Sequence, residues 1–338
     1  MPSFAQALRR FLASAVPLAV CMPAAAQTAR GPVRARTFSI VAMDSATGEL
    51  GVAVQSHWFS VGSAVAWAEP GVGAVATQSF IEPAYGPRAL ALMRTGVAAP
   101  LALRALVAAD PDSAVRQLGM IDAKGRAVSY TGRRDIPAAG GRVGRWYAAQ
   151  ANTMLRATVW DAMGRAFETT RGDLADRLLA ALDAAQAEGG DIRGRQSAAL
   201  VVVSGDRSAP PWQKRFDLRV EDSHQPLAEL RRLVRVARAY NLATDGDNYT
   251  TAGPVDSAIV ADAAAEALLP DSAVNGELVF WHATTLADRG RVAEAIPLFA
   301  RAFAQDTLWA TLLTRLPKVG LLSADSATIA RIVREGRR

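Results

Sequence analysis

Thr37 heads the first stretch of the chain that could carry a reaction. Thr37-Phe38-Ser39-Ile40-Val41-Ala42-Met43 alternates and is β-branched, as a strand should be. Asp44 to Gly48 reads as a turn, and Glu49 to Gln55 as the second strand of a hairpin. A threonine at a free N-terminus carries a nucleophilic hydroxyl and a basic amine on one residue. That amine, with an ordinary pKa of about 7.7–8.0, suits proton abstraction near neutral pH better than a lysine does. The structural alternative is a strand residue chosen for β propensity.

Other polar residues sit where such a nucleophile would need help. Gln55 and Ser56 end the second strand and could position the amine or a substrate; solvation of a strand end is the alternative. Gln78 closes an apolar strand, either to contact substrate or to bond a turn. Asn152, just past a strand, is a candidate oxyanion donor or a turn asparagine. In Gly189-Gly190-Asp191-Ile192-Arg193-Gly194-Arg195-Gln196-Ser197, the glycines allow tight backbone near a ligand. Asp191 and Arg193 could form an orienting ion pair or bind a carboxylate, and Ser197 opens a buried strand facing the nucleophile. A helix end followed by a solvated loop is the bland reading of this stretch.

Several other chemistries are excluded. Gly71-Val72-Gly73-Ala74-Val75-Ala76 matches a dinucleotide fingerprint by letter, but Pro83, Gly86 and Pro87 stop a helix from following. His57, His224 and His282 have no ligand spacing, so neither metal nor cofactor is expected. No G-x-S-x-G elbow occurs. His57 and Ser56 are adjacent, which sends them to opposite faces of an extended chain.

The chain of 338 residues carries a formal charge of +6. Five of its arginines (Arg9, Arg10, Arg30, Arg34, Arg36) fall in the first 36 residues, which hold no acid. The remainder has 33 basic against 32 acidic residues, without the basic stripe of a nucleic-acid binder. Arg9-Arg10, the apolar run Phe11–Val20 and the small residues Ala24–Ala26 read as a signal peptide over 1–26. The segment is too short and too proline-broken to span a membrane, so no stable membrane anchor is expected. The single cysteine, Cys21, lies inside it, after a Val20 that poorly suits lipid attachment. The mature chain would then have no thiol, and a periplasmic or secreted location is expected.

Residues 27–36 read as a flexible basic lead. Further strands are expected at 63–69, 72–79, 116–122, 126–131, 146–151, 196–204 and 215–220, and helices at 87–95, 98–109, 157–170, 174–188 and 226–241. Strands and helices come in blocks, so the class is α+β, with antiparallel sheets stacked between helical layers. Residues 242–255 read as a linker and 256–338 as an all-helical domain. There Ala283, Gly290, Ala295, Phe299 and Ala302 have the spacing of one tetratricopeptide-like hairpin, which needs flanking helices to bury its core. Trp281, Phe299 and Trp309 could line a groove or pack helix on helix.

The segments TFSIVAMDSATGELGVAVQS, GVGAVATQSF, YGPRAL, RQLGMIDAKGRAVSYTG, GGDIRGRQSAAL and DLRVEDSHQPLAELRRL resemble the family called domain of unknown function 1028. The likeness runs from about Thr37 to Tyr240. That family is grouped with the N-terminal-nucleophile (Ntn) hydrolases, so the resemblance implies a four-layer αββα sandwich and an amidohydrolase. The tail is similar to a helical module associated with peptidoglycan binding. In the proteasome pattern an aspartate and a lysine support the nucleophile; here Gln55 stands at the first place and 63–69 has no lysine. The implied chemistry requires a second cut between Arg36 and Thr37, autocatalytic or by a trypsin-like protease, because a signal cut before Gln27 leaves ten residues ahead of Thr37. The expected partner is a small-molecule, peptide or cell-wall amide, with a homo-oligomer allowed and no nucleic acid. The competing expectation is a non-catalytic periplasmic binding protein on the same fold, its tail binding peptide or glycan.

Overall fold

The computed structural model describes residues 33–252 and 255–337. The signal peptide and most of the lead lie outside the described residues. Strands β1 (Val33–Ala35), β2 (Thr37–Met43), β3 (Leu50–Ser56), β4 (Ala66–Glu69) and β5 (Gly73–Ile81) come first, with a one-turn helix α1 (Gly62–Val65) between β3 and β4. Helices α2 (Tyr85–Arg94) and α3 (Ala99–Ala108) follow, then β6 (Arg116–Asp122), β7 (Ala127–Thr131), β8 (Gly140–Gly144) and β9 (Tyr147–Ala151). Next come α4 (Val159–Thr169), α5 (Leu174–Ala187), β10 (Ser197–Val203), β11 (Lys214–Val220) and α6 (Pro226–Ala252). The chain ends in α7 (Val255–Ala267), α8 (Glu277–Asp288), α9 (Val292–Gln305), α10 (Leu308–Leu313) and α11 (Ser326–Gly336).

Two antiparallel sheets form. One runs β11-β10-β3-β2-β9-β8; the other runs β1-β5-β6-β7, with β4 also on β5. Alternation along β2 divides its side chains between two cores. Phe38, Ile40 and Ala42 pack under α4, α5 and α6 with Leu178, Leu182 and Val234. Val41 faces the second sheet, with Val52, Val54, Ala76 and Ile121 in the seam between the sheets. The outer face of the second sheet is covered by α2 and α3 through Val75, Leu118, Met120, Leu90 and Leu103. Burying one branched apolar side chain in these layers contributes roughly 1.5–3 kcal/mol. The α+β class with antiparallel sheets and a helical C-terminal region is thus present.

Four details differ from the sequence expectation. The first half of the stretch 63–69 is helical, because Gly62 sits where a Cβ would meet Ala199 Cβ at 2.5 Å, close enough to seat a turn on the sheet. Strand β8 escaped notice because its glycines have low strand preference; its neighbour β9 supplies the pairing. Residues 33–35 of the lead, read as flexible, pair with β5. The stretch read as a linker is helical as far as Ala252, since α6 continues for 27 residues. Along its second half Ala239 is buried with Ala265 of α7 and Leu278 of α8.

In the C-terminal region α8 and α9 form a helical hairpin turning at Gly290, whose φ of 75° a glycine adopts without strain. Ala283, Ala295, Phe299 and Ala302 are buried together with Leu313 of α10 and Ile332 of α11. Phe280 of α8 packs helix on helix, 5.7 Å from Phe299 of α9 and 4.7 Å from Trp309 of α10, centroid to centroid, with its α8 neighbour Trp281 at 5.2 Å.

Candidate active site

Thr37 opens β2 at the centre of its sheet, fully buried, on the face turned to the second sheet. Ser56 lies opposite it on β3, and Ser197 lies opposite Ser56 on β10. Direct cross-strand partners share a face, so the three hydroxyl residues form a row. Thr37 Oγ1 donates to Ser56 Oγ at 3.2 Å, and Ser56 Oγ donates to the Arg36 carbonyl at 2.5 Å. The same carbonyl accepts from Arg193 Nη2 at 2.7 Å. The oxygen of the Arg36–Thr37 peptide bond is therefore held by a hydroxyl and a guanidinium, beside the Thr37 hydroxyl.

Arg193 is aimed by Asp191. Its Nε donates to Asp191 Oδ1 at 3.0 Å and its Nη2 to Oδ2 at 2.6 Å, a bidentate pair. The Asp191 side chain is fully buried and also accepts from the backbone N–H of Arg193 (2.9 Å) and of His57 (3.2 Å). The loop reaches this place because Gly189, Gly190 and Gly194 all have positive φ, which turns the chain sharply off α5.

A buried polar network lies beneath. The Thr37 carbonyl accepts from the Asn152 backbone N–H at 3.1 Å and from Gln78 Nε2 at 3.2 Å. Gln78 Nε2 and Asn152 Nδ2 also donate to Gln117 Oε1, at 2.6 and 2.9 Å. Ser39 Oγ donates to Gln78 Oε1 at 2.7 Å and accepts from Gln150 Nε2 at 2.6 Å. These residues join both sheets through side chains in an apolar seam. A buried amide left unpaired costs roughly 1–3 kcal/mol, so the linked arrangement fixes the position of β2 against β5.

The structure brings Thr37, Ser56, Gln78, Asn152, Asp191 and Arg193 together. Asn152 holds the Thr37 carbonyl and Gln117, while the donors on the preceding carbonyl are Ser56 and Arg193. Ser197 stands in the row but spends its hydroxyl on the 58–61 loop: it donates to the Trp58 carbonyl and accepts from the Val61 N–H at 3.1 Å. Gln55 points to the opposite face, where its Nε2 donates to Gln186 of α5 at 3.1 Å. Sequence reasoning missed Ser39, Gln117 and Gln150. The signal was there, since each is a polar residue beside apolar neighbours inside a buried strand (TFSIVAM, RQLGMID, YAAQA).

Asp135 borders this region, accepting from Ser79 Oγ. Ser79 has a φ of 69°, uncommon for a residue with a side chain. Burial pushes the Asp135 carboxyl from 3.8 up to about 6, against the opposing effect of the Ser79 hydrogen bond; among the described residues its Oδ2 has no hydrogen-bond partner. Between these two values the unfolded chain ionises while the folded one holds its proton. Stability is therefore lost as pH rises through that window and is not recovered above it. Asp135→Asn should raise the unfolding free energy at pH 7.5 by ~1 kcal/mol, below the full value of the shift because the group is partly solvated. Urea midpoints at pH 4.5 and 7.5 check this; an unaltered pH dependence would contradict it.

Among the described residues no group of His, Cys, Asp and Glu could hold a metal ion, and no helix is long and apolar enough to cross a membrane.

Fold and site define an α+β protein with two antiparallel sheets joined by a buried amide network around a strand-leading threonine. The model of the family of unknown function DUF1028 matches residues 37–230, and the chain belongs to that family. Among solved structures it is similar to protein SPO2555 from Silicibacter pomeroyi, of the same family, at 30% identity and a TM-score of 0.55, over 60% of this chain and 86% of that one. No curated protein matches the chain.

Proposed function

We propose that this chain is an exported amidohydrolase of the Ntn type, on an αββα sandwich, with Thr37 as nucleophile once the Arg36–Thr37 bond is cut. The observation that carries this is the Arg36 carbonyl, gripped by Ser56 Oγ and Arg193 Nη2 beside Thr37 Oγ1. A hydroxyl and a guanidinium on a carbonyl oxygen are donors of the kind that stabilise an oxyanion. Self-cleavage is favoured over an outside protease, because Thr37 is fully buried and the bond lies between two paired strands, at the junction of β1 and β2.

After the cut, the Thr37 amine takes the hydroxyl proton as Oγ1 attacks the substrate carbonyl carbon. The C–N bond breaks and the proton passes to the leaving amine, leaving an ester on Thr37. Water then attacks the ester, the amine again carries the proton, and the C–O bond breaks to release the acid and restore the hydroxyl. Ser56 and Arg193 hold the carbonyl oxygen through both steps.

The intact mass of the protein recovered from its native host tests this. A form beginning at Thr37 is expected. Only a form beginning at Gln27 would sink the mechanism. That outcome would favour the second reading, a binding protein whose lead stays in the sheet, consistent with the β1–β5 pairing.

A further inference from the structure

Asp135 has no part in the steps above, yet three connections place it beside Thr37. Ser79, whose Oγ donates to Asp135 Oδ1, follows Gln78, which holds the Thr37 carbonyl. Ala35 of the lead, one residue before the Arg36 carbonyl, lies opposite Ser79 in the strand register. The Ile136 carbonyl accepts from the Thr153 N–H, and Thr153 follows Asn152, whose own N–H holds the Thr37 carbonyl. Asp135 therefore stands on the acyl side of the Arg36–Thr37 bond. Its Oδ2 is closed off from solvent and, among the described residues, has no hydrogen-bond partner. Native folds rarely leave a buried carboxylate oxygen unmatched, because doing so costs stability. Ser79, which donates to the other oxygen, has a φ of 69°, in the left-handed region, and that is a second cost at the same spot. Two such costs bordering a candidate site point to a group kept for a ligand rather than for the fold. A carboxylate with one oxygen free takes an N–H donor, and takes a charged one best.

Resting on the reading of Thr37 as nucleophile, we infer that Asp135 is a specificity-determining residue and that the substrate is an aminoacyl amide. The acyl part carries a free ammonium, which donates to Asp135 Oδ2 while the carbonyl rests on Ser56 Oγ and Arg193 Nη2. Departure of the lead from beside Ser79 uncovers the carboxylate, so the ammonium site forms only in the cut protein. The carbon chain between carbonyl and ammonium must match the span from these donors to Asp135. An amide whose amine is acylated brings no cation and leaves the carboxylate unmatched.

The test uses the Thr37-first form of the full chain, with the Thr37→Ala chain as blank. The probes are glycyl-, β-alanyl- and 4-aminobutyryl-7-amido-4-methylcoumarin, each paired with its N-acetyl counterpart. For at least one chain length the free amine should be cleaved with a kcat/KM at least about tenfold above the acetylated probe, the effect of one charge-assisted hydrogen bond. In Asp135→Asn, which should fold with higher stability near neutral pH, that ratio should fall to near one. Asp135→Glu should move the preference to a shorter chain. Equal cleavage of free and acetylated probes would overturn the assignment. So would a ratio that survives in Asp135→Asn; if both members of a pair then lose rate equally, the carboxylate serves the Thr37 amine instead. A β-lactone reports on the nucleophile by itself, since it acylates an activated threonine hydroxyl and carries no ammonium. Acylation of Thr37 without cleavage of any free-amine probe would overturn the substrate assignment alone. No acylation, or no Thr37-first form, would overturn the nucleophile with it.

Discussion

Thr37→Ala should leave the Arg36–Thr37 bond uncut and amide hydrolysis at the level of the blank. The variant lacks the hydroxyl proposed to attack the held carbonyl, and removal of a nucleophile costs at least about 10³-fold in rate. It should still fold. The loss is a methyl group, a hydroxyl and one hydrogen bond to Ser56, worth ~1–2 kcal/mol together. Thr37→Ser keeps the hydroxyl and should process, though more slowly. Intact mass after export reads the result for both variants. A Thr37→Ala chain that is still cut at this bond would show that an outside protease does the work.

The second large effect concerns Arg193. Arg193→Ala strands a fully buried carboxylate: Asp191 keeps only the two backbone N–H bonds from His57 and Arg193. Breaking a buried pair in this way costs ~3 kcal/mol, close to the low end for such sites because those N–H bonds remain. The variant should also slow cleavage of Arg36–Thr37 by about 10²-fold, the typical effect of losing one oxyanion donor. Arg193→Lys keeps the charge but not the two-pronged geometry and should fall between. The double change Asp191→Ala with Arg193→Ala separates the two roles: it should recover part of the stability and none of the processing. Denaturant midpoints and cleavage time courses check both. Equal recovery of both properties would contradict a direct role for the guanidinium.

Much of the sheet architecture was legible because period-2 alternation is written by burial. Strands β2, β3, β5, β6, β9, β10 and β11 stand within one or two residues of their expected places, and Phe38, Ile40 and Ala42 explain why. Helix α1 and strand β8 were not legible. Gly62 and the glycines of β8 take their conformation from neighbours distant in sequence, and local preference carries no record of those. The site was half legible. Thr37, Asp191 and Arg193 stand out as residue types, but the direction in which Gln55 and Ser197 point follows from strand register. A shift of one residue exchanges the two faces. Ser56 and Gln55 illustrate this: neighbours in sequence, one touches Thr37 and the other helix α5. The contact of Arg193 with the Arg36 carbonyl spans 157 residues and is visible only in the folded chain.

Helix α6 sets where this protein can be divided. At ~1.5 Å per residue its 27 residues run for about 40 Å. Its first half lies under the sheet and its second half under the C-terminal helices. Arg238 reaches back to Asp173 at 2.7 Å, and Tyr240, two residues on, donates forward to Glu277 at 2.5 Å. A shortened chain ending at residue 230, the last family-matched residue, would stop inside this helix and lose Val234, which packs under the sheet, together with Ala239 and its contacts to the C-terminal helices. The natural unit for expression, crystallisation or engineering therefore runs through the C-terminal helices, and a tag or fusion belongs beyond α11, away from the Thr37 end.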